Sequence, residues 1–139
     1  MSNEQPKVMF RKTSVYEDLI FVAGATPRQD GVMKFVGMVG RDLSVAEACE
    51  AARLAVLNAL NDVKITVDSL DARVAVCHRM TVYSVVEDTS MLTEVANAAS
   101  DRLIESLGMD ALGVRTAIGV AKLPGNAPVE VELTLSLER

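Results

Sequence analysis

Apolar and polar positions along this chain follow two different periods, and the switches between them mark its elements. Asp18-Leu-Ile-Phe-Val-Ala23 is a continuous apolar run that stops at Gly24 and predicts a buried strand. Upstream, a loose tail over 1–7 leads to Val8-Met-Phe-Arg11, a short strand by the same pattern. Thr26-Pro-Arg-Gln-Asp-Gly31 is turn chemistry, since Pro27 sets φ and Asp30-Gly31 suits a tight bend. Met33–Val36 predicts another short strand before the bend Gly37-Met-Val-Gly40.

From Ser44 the period lengthens to that of a helix. Ser44-Val-Ala-Glu47 is a capping box, and Ala48, Ala52, Ala55, Val56, Ala59 and Val63 then recur on one face to about Lys64. Arg73 to Val86 returns to period two. Val74, Val76, Met80 and Val82 mark one face, His78 interrupts it, and Cys77, Arg79, Thr81 and Tyr83 mark the other. Glu87-Asp-Thr-Ser90 supplies helix-start residues. Leu92, Val95, Ala96, Ala99, Leu103 and Leu107 stripe a second helix, and Gly108 stops it. Val114–Ala121 and Val129–Leu137 close the chain as two strands joined by a short Pro/Gly/Asn loop, and pairing them would let their side chains converge on one cleft.

Strands and helices in this order predict one α+β domain over 1–139: a single mixed sheet with two helices packed on one face. The opposite sheet face then lacks a cover within the chain. Composition sharpens that point. Half of the 139 residues are apolar and Trp is absent, so small aliphatic side chains carry the core. An Ala- and Val-rich core alone accounts for such a fraction, and so does apolar surface covered by another subunit.

Net charge is −5, with Lys and Arg scattered rather than clustered, which argues against nucleic acid as a partner. Met1-Ser-Asn-Glu-Gln-Pro is polar and not a signal peptide, and no apolar run is long enough for a membrane span. Cys49 and Cys77 are expected as reduced thiols of a cytoplasmic protein, and the single His78 has no ligand set around it, so no metal is expected.

One position stands out on the penultimate strand. Arg115, Ala117, Gly119 and Ala121 share a face, so a single guanidinium stands among very small neighbours. That leaves room for a carboxylate on its planar fork, although a solvated or interfacial arginine fits the pattern too. Glu130 alternates with Val129 and Val131 on the next strand, as either a water-positioning carboxylate or an exposed one.

Taken in order, several segments resemble the RidA/YjgF superfamily, in particular its YjgF-related branch. They are Leu19-Ile-Phe-Val-Ala-Gly24, Gly37-Met-Val-Gly-Arg-Asp-Leu43, Ala51–Asn58, Asn97-Ala-Ala-Ser-Asp101, Arg115–Pro124 and Val129-Glu-Val-Glu132. The resemblance runs from about Phe10 to Leu137. It implies a chorismate-mutase-like fold, a homotrimer with ligand sites in clefts between subunits, and no cofactor. It also implies hydrolysis of reactive 2-imino or enamine acids to 2-keto acids and ammonia, as in 2-iminobutanoate/2-iminopropanoate deaminases. By position, Arg115 would grip the substrate carboxylate and Glu130 would orient or activate water. Asn97, Gly24, Ala117 and Phe10 would border the ligand. Three positions depart from the family pattern. Ala23 replaces the usual serine before the glycine, Ala117 replaces a frequent cysteine, and Phe10 aligns with an aromatic hydroxyl.

The same anion cleft without turnover would make a metabolite-binding or regulatory trimer, with small carboxylates and further copies of itself as partners. A chorismate mutase shares the fold but needs several cations around its ligand, and only Arg115 is well placed, with Arg11 or Arg28 available from a neighbour. Without a metal cluster or a histidine pair, a nuclease fits poorly.

Overall fold

The computed structural model describes residues 9–139, so the tail over 1–7 and Val8 of the expected first strand lie outside the described residues. Strands β1 (Thr13–Tyr16) and β2 (Leu19–Ala25) form a hairpin. A small separate hairpin follows, β3 (Arg28–Gln29) with β4 (Val32–Met33). Helix α1 (Val45–Ser69), β5 (Arg73–Ser84), α2 (Leu92–Leu107), β6 (Leu112–Gly119) and β7 (Val129–Glu138) complete the domain. The main sheet has the order β1-β2-β7-β5-β6. Strands β5 and β6 are parallel and joined through α2, while β7 runs antiparallel between β2 and β5. This is the α+β class expected from the sequence.

The local differences have physical causes. The first strand begins at Thr13, and residues 9–11 pair with nothing as a strand. The Ser44 capping box forms as expected, but α1 runs past Lys64 because buried Val67 extends its apolar stripe by another turn. A 3-10 turn over Thr89–Met91, capped by the Asp88 side chain, precedes α2. Met33–Val36 yields only a two-residue strand, displaced to Val32–Met33.

The helices cover one face of the sheet. Five alanines of α1, at 48, 51, 52, 55 and 59, are fully buried, and their small side chains let the helix sit close to its neighbours. Val129, Val131, Leu133, Leu135 and Leu137 of β7 point into this core, and Glu130, Glu132, Thr134 and Ser136 point away from it. The facing pattern of β5 departs from simple alternation. Its pairing with β7 shifts register between Val74 and Val76 and again between Cys77 and Arg79. These bulges bring Cys77 onto the core side with Met80 and Val82, correcting the two-face assignment that strict period two would give. Cys77 is fully buried there, and burial pushes its thiol up to about 11.

The other sheet face is open. Val114 (58 % exposed), Ile118 (39 %) and Phe21 (44 %) lie on it, beside Thr116 and the acidic pair Glu130 and Glu132. Among the described residues no helix is long and apolar enough to cross a membrane.

Candidate functional site

At the β6 edge of the sheet, Arg115 points to the helix side, in register with core residue Met80 of β5. Its Nη1 donates to Asn97 Oδ1 at 2.9 Å and to Ser100 Oγ at 3.0 Å, both on α2. Asn97 and Ser100 are three residues apart and so share one helix face. Ala117 lies two residues along the same side of β6 and packs against the core. No carboxylate among the described residues lies within ion-pair distance of Arg115, although Arg53, Arg73 and Arg102 each have one. The result is an exposed guanidinium, oriented by two neutral acceptors, whose other donors face solvent.

The second region lies at the opposite side of the sheet. A cleft of about 570 Å³ opens between the end of β2, α1 and the β3–β4 hairpin. Phe10, Gly24 and Glu130 line it together. Strand β2 shifts register against β7 between Val22 and Ala25, and Gly24 sits in that irregularity. A Cβ on Gly24 would lie 2.7 Å from Glu130 Cδ, so the absence of a side chain makes the space that the carboxylate occupies. Burial, and secondarily the charge of Glu132, push the Glu130 carboxyl above its ordinary range. Lys12 and Asp62 approach to 4.0 Å along the same rim.

The site residues therefore fall into two groups within one chain. Arg115, Asn97 and Ala117 lie at the β6–α2 edge, and Gly24, Phe10 and Glu130 lie at the β2–α1 edge. The expected pairing of the last two strands does not occur. Strand β5 lies between them, with Arg115 opposite Met80 and Glu130 opposite Tyr83. Their side chains also leave the sheet on opposite faces. The reason is the crossover through α2, which makes β5 the parallel partner of β6 and leaves the antiparallel position beside β5 to β7.

Two side chains that sequence reasoning passed over complete the geometry. Ser100, 9 % exposed, is the second acceptor for Arg115. Asn58 of α1 donates through Nδ2 to the carbonyl oxygens of Thr26 (2.9 Å) and Arg28 (2.7 Å), tying the loop after β2 to the helix. Each had a weak signal: Ser100 three residues from Asn97, and Asn58 as a lone amide in the apolar run Leu54–Leu60.

No family model matches the sequence. Protein TCP17 of Trypanosoma cruzi is 33 % identical over 122 residues, which cover 85 % of this chain and 74 % of TCP17. Among solved structures, the Agrobacterium tumefaciens protein Atu1372, of unknown function, is 28 % identical. It superposes with a TM-score of 0.87 over 94 % of this chain and 82 % of its own. A candidate endoribonuclease from Shewanella oneidensis is 25 % identical, with a TM-score of 0.84 over 96 % and 89 % of the two chains. The chain belongs to the RidA/YjgF superfamily. Membership agrees with the helices on one sheet face and with the order of the matching segments. In this RidA/YjgF chain Ala23 stands beside the glycine and Ala117 beyond the arginine, so neither position offers a side-chain hydroxyl or thiol.

Proposed function

We propose that this protein hydrolyses reactive 2-imino acids to 2-keto acids and ammonia, in clefts completed by a second copy of the chain. The observation that carries the reading is the division of the site. Arg115 is oriented by α2 but lacks a counter-ion among the described residues, and Glu130 sits partly desolvated in a cleft at the other edge of the sheet. A homotrimer, with the open sheet faces turned toward one another, would set the β6–α2 edge of one subunit against the β2–α1 cleft of the next. The exposed Val114, Ile118 and Phe21 would be covered in that arrangement.

The chemistry asks little of such a site. The carbon of an imino acid is already electrophilic, so holding the carboxylate and placing a water removes most of the entropic cost. The Arg115 guanidinium would bind the carboxylate through charge-assisted hydrogen bonds. Glu130, with its proton affinity raised by burial, would take a proton from the attacking water. Asn97 and Ser100 would hold the guanidinium in place, and Gly24 would keep space beside the carboxylate. Asn97, Ala117 and Phe10 border the ligand on this reading.

The test generates imino acids in situ with an amino-acid oxidase and follows keto-acid release above the spontaneous rate. Arg115→Ala and Glu130→Gln should each abolish the enhancement. Mixed oligomers of the two variants should regain part of it, because some interfaces then combine an intact Arg115 with an intact Glu130. Failure of the mixture to recover activity would overturn the shared site.

A second reading has its own support. Ala23 and Ala117 leave the cleft edges apolar where polar groups could assist turnover. Binding of 2-keto acids by a protein that gives no rate enhancement on small, branched and aromatic imino acids would establish a metabolite-binding role instead.

A further inference from the structure

Arg28 opens β3 and lines the same cleft as Gly24 and Glu130. Among the described residues five arginines, at 41, 53, 73, 102 and 139, reach a carboxylate within ion-pair distance, and Arg28 does not. It lacks one although Asp30, Asp62 and Glu130 line that cleft with it. Asp62 is turned toward Lys12 at 4.0 Å, and the Glu130 carboxyl is held toward its neutral form by burial.

The backbone beneath Arg28 is fixed from several sides. Its N–H donates to the Thr26 carbonyl at 2.8 Å, and its own carbonyl accepts from Asn58 Nδ2 at 2.7 Å. Pro27 is buried, and Arg28 pairs with Met33 across the hairpin. The guanidinium lies over Gly125, where a Cβ would stand 2.9 Å from Nη2. Gly125 has φ of +66° and so supplies a left-handed turn and the space for that guanidinium together.

We propose that Arg28 is the specificity-determining residue of the cleft and selects ligands with a second carboxylate, that is, 2-imino or 2-oxo dicarboxylic acids. The inference rests on the reading of the cleft given above. There the 2-carboxylate belongs to Arg115 of the adjoining copy, so a simple monocarboxylic acid leaves Arg28 without a partner. A distal carboxylate reaching Arg28 gives the guanidinium the counter-ion it lacks among the described residues, and its planar fork suits that group.

Calorimetric titration of the intact protein at low salt with 2-oxoglutarate, 2-oxobutanoate and glutarate tests this. Wild type should bind 2-oxoglutarate about tenfold or more tighter than 2-oxobutanoate, the gain expected of one charge-assisted contact. Arg28→Gln should bring that ratio to about one, and Arg28→Lys, which keeps the charge without the fork, should retain part of it. A wild-type ratio near one, or a preference that survives in Arg28→Gln, overturns the assignment of Arg28 while leaving the keto-acid site standing. If neither keto acid binds but glutarate binds in an Arg28-dependent way, the keto-acid reading fails and the diacid contact stands. If none of the three binds, both fail.

Discussion

The two edges of the sheet carry opposite kinds of preparation. At the β6–α2 edge a permanently charged group is held by the hydrogen bonds it donates to a helix and meets solvent. At the β2–α1 edge a titratable group is withdrawn into a cleft, and its charge is opposed by burial. A guanidinium keeps its charge whatever surrounds it, so the fold has only to aim it. A carboxylate becomes a useful base only when its proton affinity is tuned, and tuning requires enclosure. Aiming needs two acceptors on one helix face. Enclosure needs a strand irregularity, a missing Cβ and a nearby loop.

Breaking the aimed edge should have the largest effect. Arg115→Ala is expected to cost about 1.5–3 kcal/mol of affinity for a small 2-keto acid. The melting temperature should hold, because the side chain is exposed and outside the core. Parallel titration calorimetry and thermal melts separate the two, and unchanged affinity in a folded variant would remove Arg115 from the site. Asn97→Asp tests the same edge more finely. It places a carboxylate where the amide oxygen stands 2.9 Å from Nη1, giving Arg115 an internal counter-ion that competes with the ligand. The expected loss is about 1 kcal/mol, smaller than for Arg115→Ala and weakened by added salt.

The enclosed edge should respond in rate and pH dependence. Gly24→Ala puts a methyl group against the Glu130 carboxyl, which must swing aside. Turnover should fall severalfold, with a stability cost of about 1 kcal/mol from the crowding, and equal rates in Gly24→Ala and wild type would show that the position of the carboxylate is immaterial. The smallest effect concerns stability. Burial raises the Glu130 pKa in the folded chain above its unfolded value, so the folded state holds this proton more tightly. Stability from this group is therefore present in acid and declines as pH rises from the ordinary glutamate range through the raised value. Glu130→Gln should be more stable than wild type at neutral pH, by less than about 1 kcal/mol after solvent screening, and the gain should vanish in acid. Denaturant melts across that pH window measure the difference, and a gain that grows on acidification would contradict the sign.

Much of this was legible in the order of residues. The Ser44–Glu47 capping box, the Ala stripe of α1, the stop at Gly108 and the alternation of β7 are local patterns, and local geometry realises them. So is the placement of Arg115 and Ala117 on one face of β6, which follows from period two, although only the packing of α2 makes that face the helix side. The faces of β5 between Val74 and Arg79 were not legible, because one irregularity reverses the alternation and a second restores it.

The sequence by itself determined where the two helices and the longer strands lie, because each depends on neighbours within a few turns or pleats. Only the tertiary structure decided that β5 separates β6 from β7, that Arg115 and Glu130 leave opposite faces of the sheet, and that Ser100 and Asn58 hold the arginine and the cleft loop. Those outcomes depend on strand order, set by how the two crossover helices pack together on one face, and no local period records that choice.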